Sequence, residues 1–257
     1  MSKGPKRSGG RQSGGKQTGG KGAGLTGRGM TTRVRTAKRR KTSSTRWLQR
    51  QLNDPYVAEA RKQGYRSRAA FKLIELDDGF KLLKPGATVV DLGATPGGWT
   101  QVAAARVRAG EPRGGAVIAV DMVEMDPVPG ADVVLIDFRD ENAPTVIEDK
   151  LSGPVDIVLS DMAPSSSGHT GTDHLRIMAL AELALDFAAD ILRPGGAFVC
   201  KVLQGGTEPG LLKRMKQMFA TVKHAKPPSS RAGSAELYVV AKGFRGVSRK
   251  SDETAHE

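Results

Sequence analysis

The sequence predicts an α/β domain with a ligand site at the carboxyl ends of its strands, and three observations lead there. From Thr88 onward, short apolar runs alternate with helix-length segments. The first run, Thr88 to Leu92, breaks at Gly93 into the turn T-V-V-D-L-G-A-T-P-G-G-W, and a helix starts near Gly98 and Trp99. The next three runs each lead to an aspartate, at Asp121, Asp137 and Asp161. Strand, glycine turn and helix together let an open sheet bring backbone N–H groups to a ligand.

The glycine spacing narrows the ligand. A pyrophosphate-binding turn carries a second glycine two residues after the first, whereas this chain has Thr95 there, followed by Pro96. The turn suits a nucleoside without a diphosphate, such as S-adenosylmethionine, better than a nicotinamide dinucleotide.

Charge divides the chain. Residues 1–45 hold 13 of the 40 Lys and Arg and none of the 27 Asp and Glu, so the remaining residues balance at 27 of each. An acid-free basic tail suggests a polyanionic partner, most simply nucleic acid; the alternative is a solvated tail that aids solubility. The tail has eleven glycines and its densest charge from Arg33 to Lys41. It cannot bury enough apolar surface to offset chain entropy, and is expected to be disordered. It is Arg-rich like a transit peptide, yet residues 2–24 contain Ala23 as their one apolar side chain, which precludes an amphipathic helix there. No apolar run approaches the roughly 20 residues that span a bilayer, and no apolar signal segment opens the chain, so no membrane partner is expected and the cytoplasm is the expected compartment. The single Cys200 excludes an internal disulfide and a thiolate-rich zinc site, and His169, His174, His224 and His256 lack metal-ligand spacing, so no metal is expected. The expected organisation is a tail over 1–45, a folded unit over 46–245 (helices over 46–84, sheet core over 85–245), and a short flexible tail over 246–257. A neutral folded part with few aromatics offers no self-association patch, so a monomer is expected.

Each element follows in order. A short helix begins with Ser44 or Thr45 as N-cap. A second runs from Pro55 to Gln63 and stops at Gly64. In Y-R-S-R-A-A-F-K-L-I-E-L, Ser67 caps a third whose Phe71, Leu73 and Ile74 face inward, while Arg66, Arg68 and Lys72 gather beside Tyr65 as an RNA-contacting set or a solvated face. After the first strand a helix runs to about Ala109. Strand two, Ala116 to Val120, ends at Asp121, 23 residues past Gly98, where a carboxylate meets ribose hydroxyls. Strand three, Asp132 to Ile136, ends at Asp137, placed for the exocyclic amine of an adenine. Strand four, Val155 to Ser160, ends at Asp161 in D-M-A-P. One such aspartate is usually a turn residue; three in one sheet favour a site. A long helix opens at Gly171-Thr172 with Leu180, Leu183, Ala184, Phe187 and Ile191 on one face. Pro194-Gly195-Gly196 turns into strand five, Ala197 to Val202, which carries Lys201 inside an apolar run. A lysine there either has a use or snorkels to water. A helix from Leu211 to Phe219, strand six from Thr221 to Ala225, the loop P-P-S-S-R-A-G-S and a last strand from Ala235 to Ala241 complete the fold, with Glu236 at the start of the last strand.

The segments S-R-A-A-F-K-L (67–73), V-D-L-G-A-T-P-G-G-W (90–99), S-D-M-A-P (160–164), F-V-C-K-V-L-Q-G (198–205) and S-S-R-A-G-S-A-E-L-Y (229–238) form a set. With them the chain resembles the FtsJ-type ribose 2′-O-methyltransferases from about Arg46 to Arg245. The resemblance implies a Rossmann-like S-adenosyl-L-methionine-dependent fold: a seven-stranded, mostly parallel sheet with an antiparallel last strand and helices on both faces. It implies a catalytic Lys-Asp-Lys-Glu tetrad at Lys72, Asp161, Lys201 and Glu236. It places cofactor contacts at Gly97, Trp99, Asp121, Asp137 and Asp161, with Gly93 shaping the turn. It also implies, as substrate, a uridine of 23S rRNA in the A-loop region of the large ribosomal subunit. Thr95 stands where the family has alanine, Ser165-Ser166 replaces Asn-Met, Cys200 replaces valine, and the basic tail is longer than usual.

The chemistry is consistent with these residues. A neutral ribose hydroxyl is a poor nucleophile, so the enzyme must align it with an activated methyl and remove one proton. Lys201 is the expected general base: burial and the Lys72 charge favour its neutral amine, while Asp161 and Glu236 oppose that and are expected to orient. The rivals are a non-catalytic rRNA-binding assembly factor of the same fold and the same chemistry on a tRNA anticodon loop. An amino-group methylase would carry an N/D-P-P-Y motif, which D-M-A-P-S does not match, and a pyrimidine carbon methylase would use a Pro-Cys nucleophile, which Cys200 does not provide.

Overall fold

The computed structural model describes Met1 and residues 42–164, 167–205 and 209–246. The basic run Arg33–Lys41, the substituted pair Ser165-Ser166 and the expected C-terminal tail beyond residue 246 lie outside them. The elements in chain order are α1 (Thr42–Leu52), α2 (Pro55–Lys62), α3 (Ala69–Phe80), β1 (Thr88–Leu92), α4 (Gly98–Val107), β2 (Ala116–Asp121), β3 (Ala131–Leu135), α5 (Ala143–Glu148), β4 (Val155–Ser160), α6 (Thr170–Ile191), β5 (Leu192–Leu203), α7 (Pro209–Met218), β6 (Phe219–Ala225) and β7 (Glu236–Phe244).

The strands form one seven-stranded sheet in the order β3-β2-β1-β4-β5-β7-β6. β7 runs antiparallel to both neighbours, and the other six strands are parallel to one another. Helices cover both faces. α3 and α4 pack with Val89, Val117, Leu159, Val199 and Tyr238 on one face, and α6 and α7 pack with Ile118, Val158, Phe198 and Val239 on the other. β1 lies between β2 and β4, so the chain order reverses there, and the carboxyl end of β1 opens into the crevice where such sheets bind ligands.

Several local expectations are corrected. α1 starts at Thr42, which places Ser44 and Thr45 inside the helix rather than at its cap. α3 is preceded by Arg68 with no side-chain cap; the Ser67 hydroxyl is buried beside α4, where a Cβ on Gly98 would lie 2.5 Å from it. The face of α3 turned to the sheet carries Ala70, Leu73 and Leu76, whereas Phe71 and Ile74 are half-buried. α6 buries Ile177, Met178, Ala181, Ala184, Leu185, Phe187 and Ala188 and leaves Leu183 exposed. Its small residues admit close approach to the sheet, which a stripe chosen for large aliphatics misses. β5 continues back to Leu192 through Pro194-Gly195-Gly196, with a register shift against β4 between Val155 and Ile157. α5 is too short at six residues to show a helical period. Among the described residues no helix is long and apolar enough to cross a membrane, and no cluster of His, Cys, Asp and Glu is placed to hold a metal.

Candidate active site

The glycine turn is packed against its own chain. Gly93 has φ +78°, and a Cβ there would fall 2.9 Å from the Met162 backbone, which crosses the turn just after β4. Gly97 precedes α4 with φ +104°, and its Cβ would meet Arg66 Nη1 at 2.8 Å. A side chain at Gly93 would displace the segment after β4, and one at Gly97 would be strained by its positive φ and would push the Arg66 side chain aside. The turn is tied to β2 and to the residues after it: Gly93 N and Ala94 N donate to Val120 O at 2.9 and 3.1 Å. Thr95 N donates to Asp121 Oδ2 at 2.9 Å and Thr95 Oγ1 to Val123 O at 2.9 Å. The first N–H groups of α4 have no acceptor within the helix and are its donors for a ligand. Trp99 has only its backbone N–H to offer: its ring is in the core, 5.5 Å from Tyr238, and Nε1 donates to Ala69 O at 2.8 Å.

Four aspartates gather at the carboxyl ends of the strands. Asp121 accepts from Thr95 N and from Val123 N. Asp137, two residues past β3, accepts from Arg139 N at 3.0 Å, Nε at 2.9 Å and Nη2 at 2.5 Å. These Arg139 bonds hold its carboxyl down at about 2. Sequence reasoning overlooked Asp91. It is fully buried in β1, Thr100 Oγ1 donates to its Oδ2 at 2.7 Å, and Oδ1 has no partner among the described residues. Burial raises its carboxyl to about 7, helped by the charges of Asp161 and Asp121 and opposed by the Thr100 bond. A charged residue inside an apolar strand, the signal that singled out Lys201, was present in T-V-V-D-L as well.

The expected tetrad residues lie together across α3, β4, β5 and β7. Lys201 Nζ donates to Asp161 O at 2.7 Å and reaches Asp161 Oδ1 at 2.8 Å. Lys72 Nζ, on α3, bonds both Glu236 oxygens at 2.8 and 3.0 Å. Tyr238, also unforeseen, joins the two pairs: its hydroxyl donates to Asp161 Oδ1 at 2.7 Å, and Lys72 Nζ lies 5.8 Å from its ring centroid. Register places Lys201 opposite Tyr238 and Leu203 opposite Glu236. Burial pushes the Asp161 carboxyl upward, but the charges of Lys201 and Lys72 and the bonds from Lys201 and Tyr238 outweigh it and hold the group below its ordinary value. Burial raises the Tyr238 hydroxyl well above its ordinary value, so it stays a donor.

Arg66 and Arg68 are not a freely solvated face, since both guanidinium groups are engaged within the protein. Arg66 bonds the carbonyls of Pro96, Asp126 and Pro127 and so ties α3 to the glycine turn and the β2–β3 connection. Arg68 pairs with Asp54 and donates to Ser229 O. Asp54, the N-cap of α2, also takes Arg231, while Glu75 accepts from Ser229 N at 2.8 Å and Ser229 Oγ at 2.6 Å. These contacts bolt the loop before β7 to α2 and α3, and Glu236 emerges directly from that loop. Apart from Arg68–Asp54, the partners lie 154 to 177 residues apart, so no local sequence signal marks them.

A doubly wound sheet with an antiparallel strand second from its edge, and acidic side chains facing a glycine turn at its switch point, defines a methyltransferase of the Rossmann-like class. The model of the FtsJ-like methyltransferase family matches residues 65–244, and the chain belongs to that family. It is 62% identical over 216 residues to the Rhodospirillum rubrum protein named ribosomal RNA large subunit methyltransferase E, covering 84% of this chain and 82% of that one. A protein of the same name from Paramagnetospirillum magneticum is 62% identical over 213 residues, covering 82% and 87%. Among solved structures, a Plasmodium falciparum protein described as a ribosomal RNA methyltransferase matches with TM-score 0.63 and 32% identity, over 71% of this chain and 100% of that one.

Proposed function

We propose that this protein transfers a methyl group from S-adenosyl-L-methionine to the ribose 2′-hydroxyl of a uridine in 23S rRNA, in the A-loop region of the large ribosomal subunit. Its general base is Lys201, it works in the cytoplasm, and it acts as a monomer. The observation that carries the reading is the Lys201–Asp161 contact at 2.8 Å, set beside the Lys72–Glu236 pair and joined to it through Tyr238.

The donor set fits the cofactor. Asp121 and Asp137 suit the ribose diol and the adenine amine. Asp161 and the unpartnered Oδ1 of buried Asp91 suit the cationic end, and the Gly97–Trp99 backbone at the start of α4 suits its carboxylate. When bound, the cofactor supplies a methyl group already activated on a sulfonium. The chain's part is to align the acceptor hydroxyl and take its proton. To act as base, Lys201 must first give up one proton; its amine then keeps two N–H bonds on Asp161 O and Oδ1 and turns the freed lone pair to the hydroxyl. The hydroxyl would pass its proton to Nζ as its oxygen took the methyl group that the bound cofactor would supply, with the methyl–sulfur bond breaking in the same event. The ionised Asp161 carboxylate then compensates the new ammonium, and Tyr238 and Glu236 hold the carboxylate and Lys72 in place.

Labelled transfer from S-adenosyl-L-methionine to undermethylated large subunits, free 23S rRNA and tRNA, run in parallel, tests the reading. A 2′-O-methyluridine in the large-subunit RNA, found by its resistance to alkaline cleavage, is the expected product. Lys201→Ala should abolish transfer and retain cofactor binding, and activity in that variant refutes the base assignment. Label in tRNA alone assigns the same chemistry to another RNA, and cofactor binding with no transfer favours the assembly-factor reading.

A further inference from the structure

The folded part is neutral in sum but polarised across the sheet. Residues 121–150, which carry β3 and α5, hold nine Asp and Glu against two Lys and Arg. Residues 209–246, which carry α7, β6 and β7, hold eight Lys and Arg against the single Glu236. β3 and β6 are the two edges of the sheet, so the charges lie at opposite ends of the molecule. On the basic side Lys213, Lys216, Lys223, Lys226 and Arg245 are exposed. Lys226 and Arg245 bond only main-chain carbonyls, which leaves their charge uncompensated. On the other side Glu124, Asp126, Asp132, Asp140 and Glu141 are exposed.

Strand register relates this edge to the catalytic lysine. Lys201 pairs with Tyr238 and Tyr238 with Ala225, so the three form one row across β5, β7 and β6. At about 4.8 Å between strands, the β6 backbone runs about 10 Å from that of Lys201. Lys226 is the next residue past the row, and Lys223 lies two residues below it, about 7 Å along the strand. Most of the residues proposed to hold the cofactor lie at the ends of β1, β2 and β3; Asp161, at the end of β4, stands between the two halves and also holds Lys201. A methyl acceptor must approach in line from the side opposite the donor, and that side is the β5–β7–β6 half.

Resting on the RNA reading above, we propose that the RNA flanking the target nucleotide lies along the β6 edge. Its phosphates meet Lys226 and Lys223 first and then Lys213 on α7, while the acidic β3 edge faces away from the RNA. Edge lysines also guard a sheet against strand pairing, so the test exchanges the charge for its opposite and keeps an edge guard.

The experiment measures 23S rRNA transcript binding, its salt dependence, and the RNA KM and kcat of transfer, for the full chain with Lys213→Glu, Lys223→Glu and Lys226→Glu combined. Asp132→Lys with Glu141→Lys is the control. The expected result for the lysine variant is an RNA Kd and KM raised at least about 10-fold near 0.1 M salt, with the slope of log K against log salt shallower by about 2, as for two to three lost phosphate contacts. Its cofactor affinity and kcat stay unchanged, and the control changes less than about 2-fold. Unchanged RNA affinity and salt slope overturn the proposal and leave the edge a solubilising surface. Unchanged binding to naked RNA with loss only on assembled subunits overturns it in favour of a protein contact. Failure of the wild-type chain to bind or methylate both the 23S rRNA transcript and undermethylated large subunits would refute the RNA reading itself, an outcome distinct from failure of the edge.

Discussion

Replacing Asp91 by Asn should change how stability depends on pH. The carboxyl is raised from 3.8 to about 7 in the folded state, mainly because it is buried in β1. Near pH 5 the folded chain therefore holds a proton that the unfolded chain has released, and protonation favours folding. That contribution is full below about pH 3.9 and is lost as pH rises through 7. At ~1.36 kcal/mol per unit, the three-unit shift is worth about 4 kcal/mol over the whole window and about 3 kcal/mol between pH 5 and pH 8. Asn keeps the shape and does not titrate. The assay is urea denaturation of both proteins at pH 5 and pH 8. The stability of Asp91→Asn relative to wild type should rise by about 3 kcal/mol from the lower to the higher pH, a relative midpoint shift of roughly 1 M urea. Asp161 and Asp137 give slopes of the opposite sign, but they are present in both proteins and cancel to first order. A relative midpoint that is the same at both pH values would refute the claim that Asp91 is buried without a cationic partner.

Two further substitutions probe the supports of the site. Asp54→Asn leaves Arg68 and Arg231 without their shared carboxylate; losing one partner of a buried ion pair costs about 3–5 kcal/mol, so a fall in Tm of roughly 10 °C is expected. Calorimetry checks it, and an unchanged Tm would show that the loop before β7 is held by Glu75 and Ser229 alone. Thr95→Ala removes the bond to Val123 O, which at about 0.5–1.5 kcal/mol should weaken cofactor binding roughly 2- to 10-fold with kcat unchanged. Titration calorimetry reads this directly, and full affinity in the variant would mean that Asp121 alone positions the segment after β2.

Much of the sheet was legible from residue order. β1, β2 and β4 are apolar runs closed by a glycine or an aspartate, and their observed bounds match the reading to within a residue. The motifs pointed to the family, and an ion inside an apolar strand marked Lys201, although the same signal at Asp91 passed unread. Periodicity could say that α3 and α6 are helices but not which face each buries. That depends on the sheet they meet: Leu76 rather than Phe71 beside Leu73 on α3, small alanines rather than Leu183 on α6. Arg66 and Arg68 looked like exposed cations because their partners, the carbonyls of Asp126, Pro127 and Ser229, are distant in sequence. Tyr238 and Asp54 carried no local mark for the same reason. Net charge was readable, but its polarity was not, because neutrality is a sum over residues whereas separation depends on strand order. The sequence determined which residues can be strand, turn, ion or donor, since those properties are local. Only the tertiary structure decided which ions meet, because a crossover fold brings residues more than 150 positions apart into contact and only then fixes which buried charges are paired.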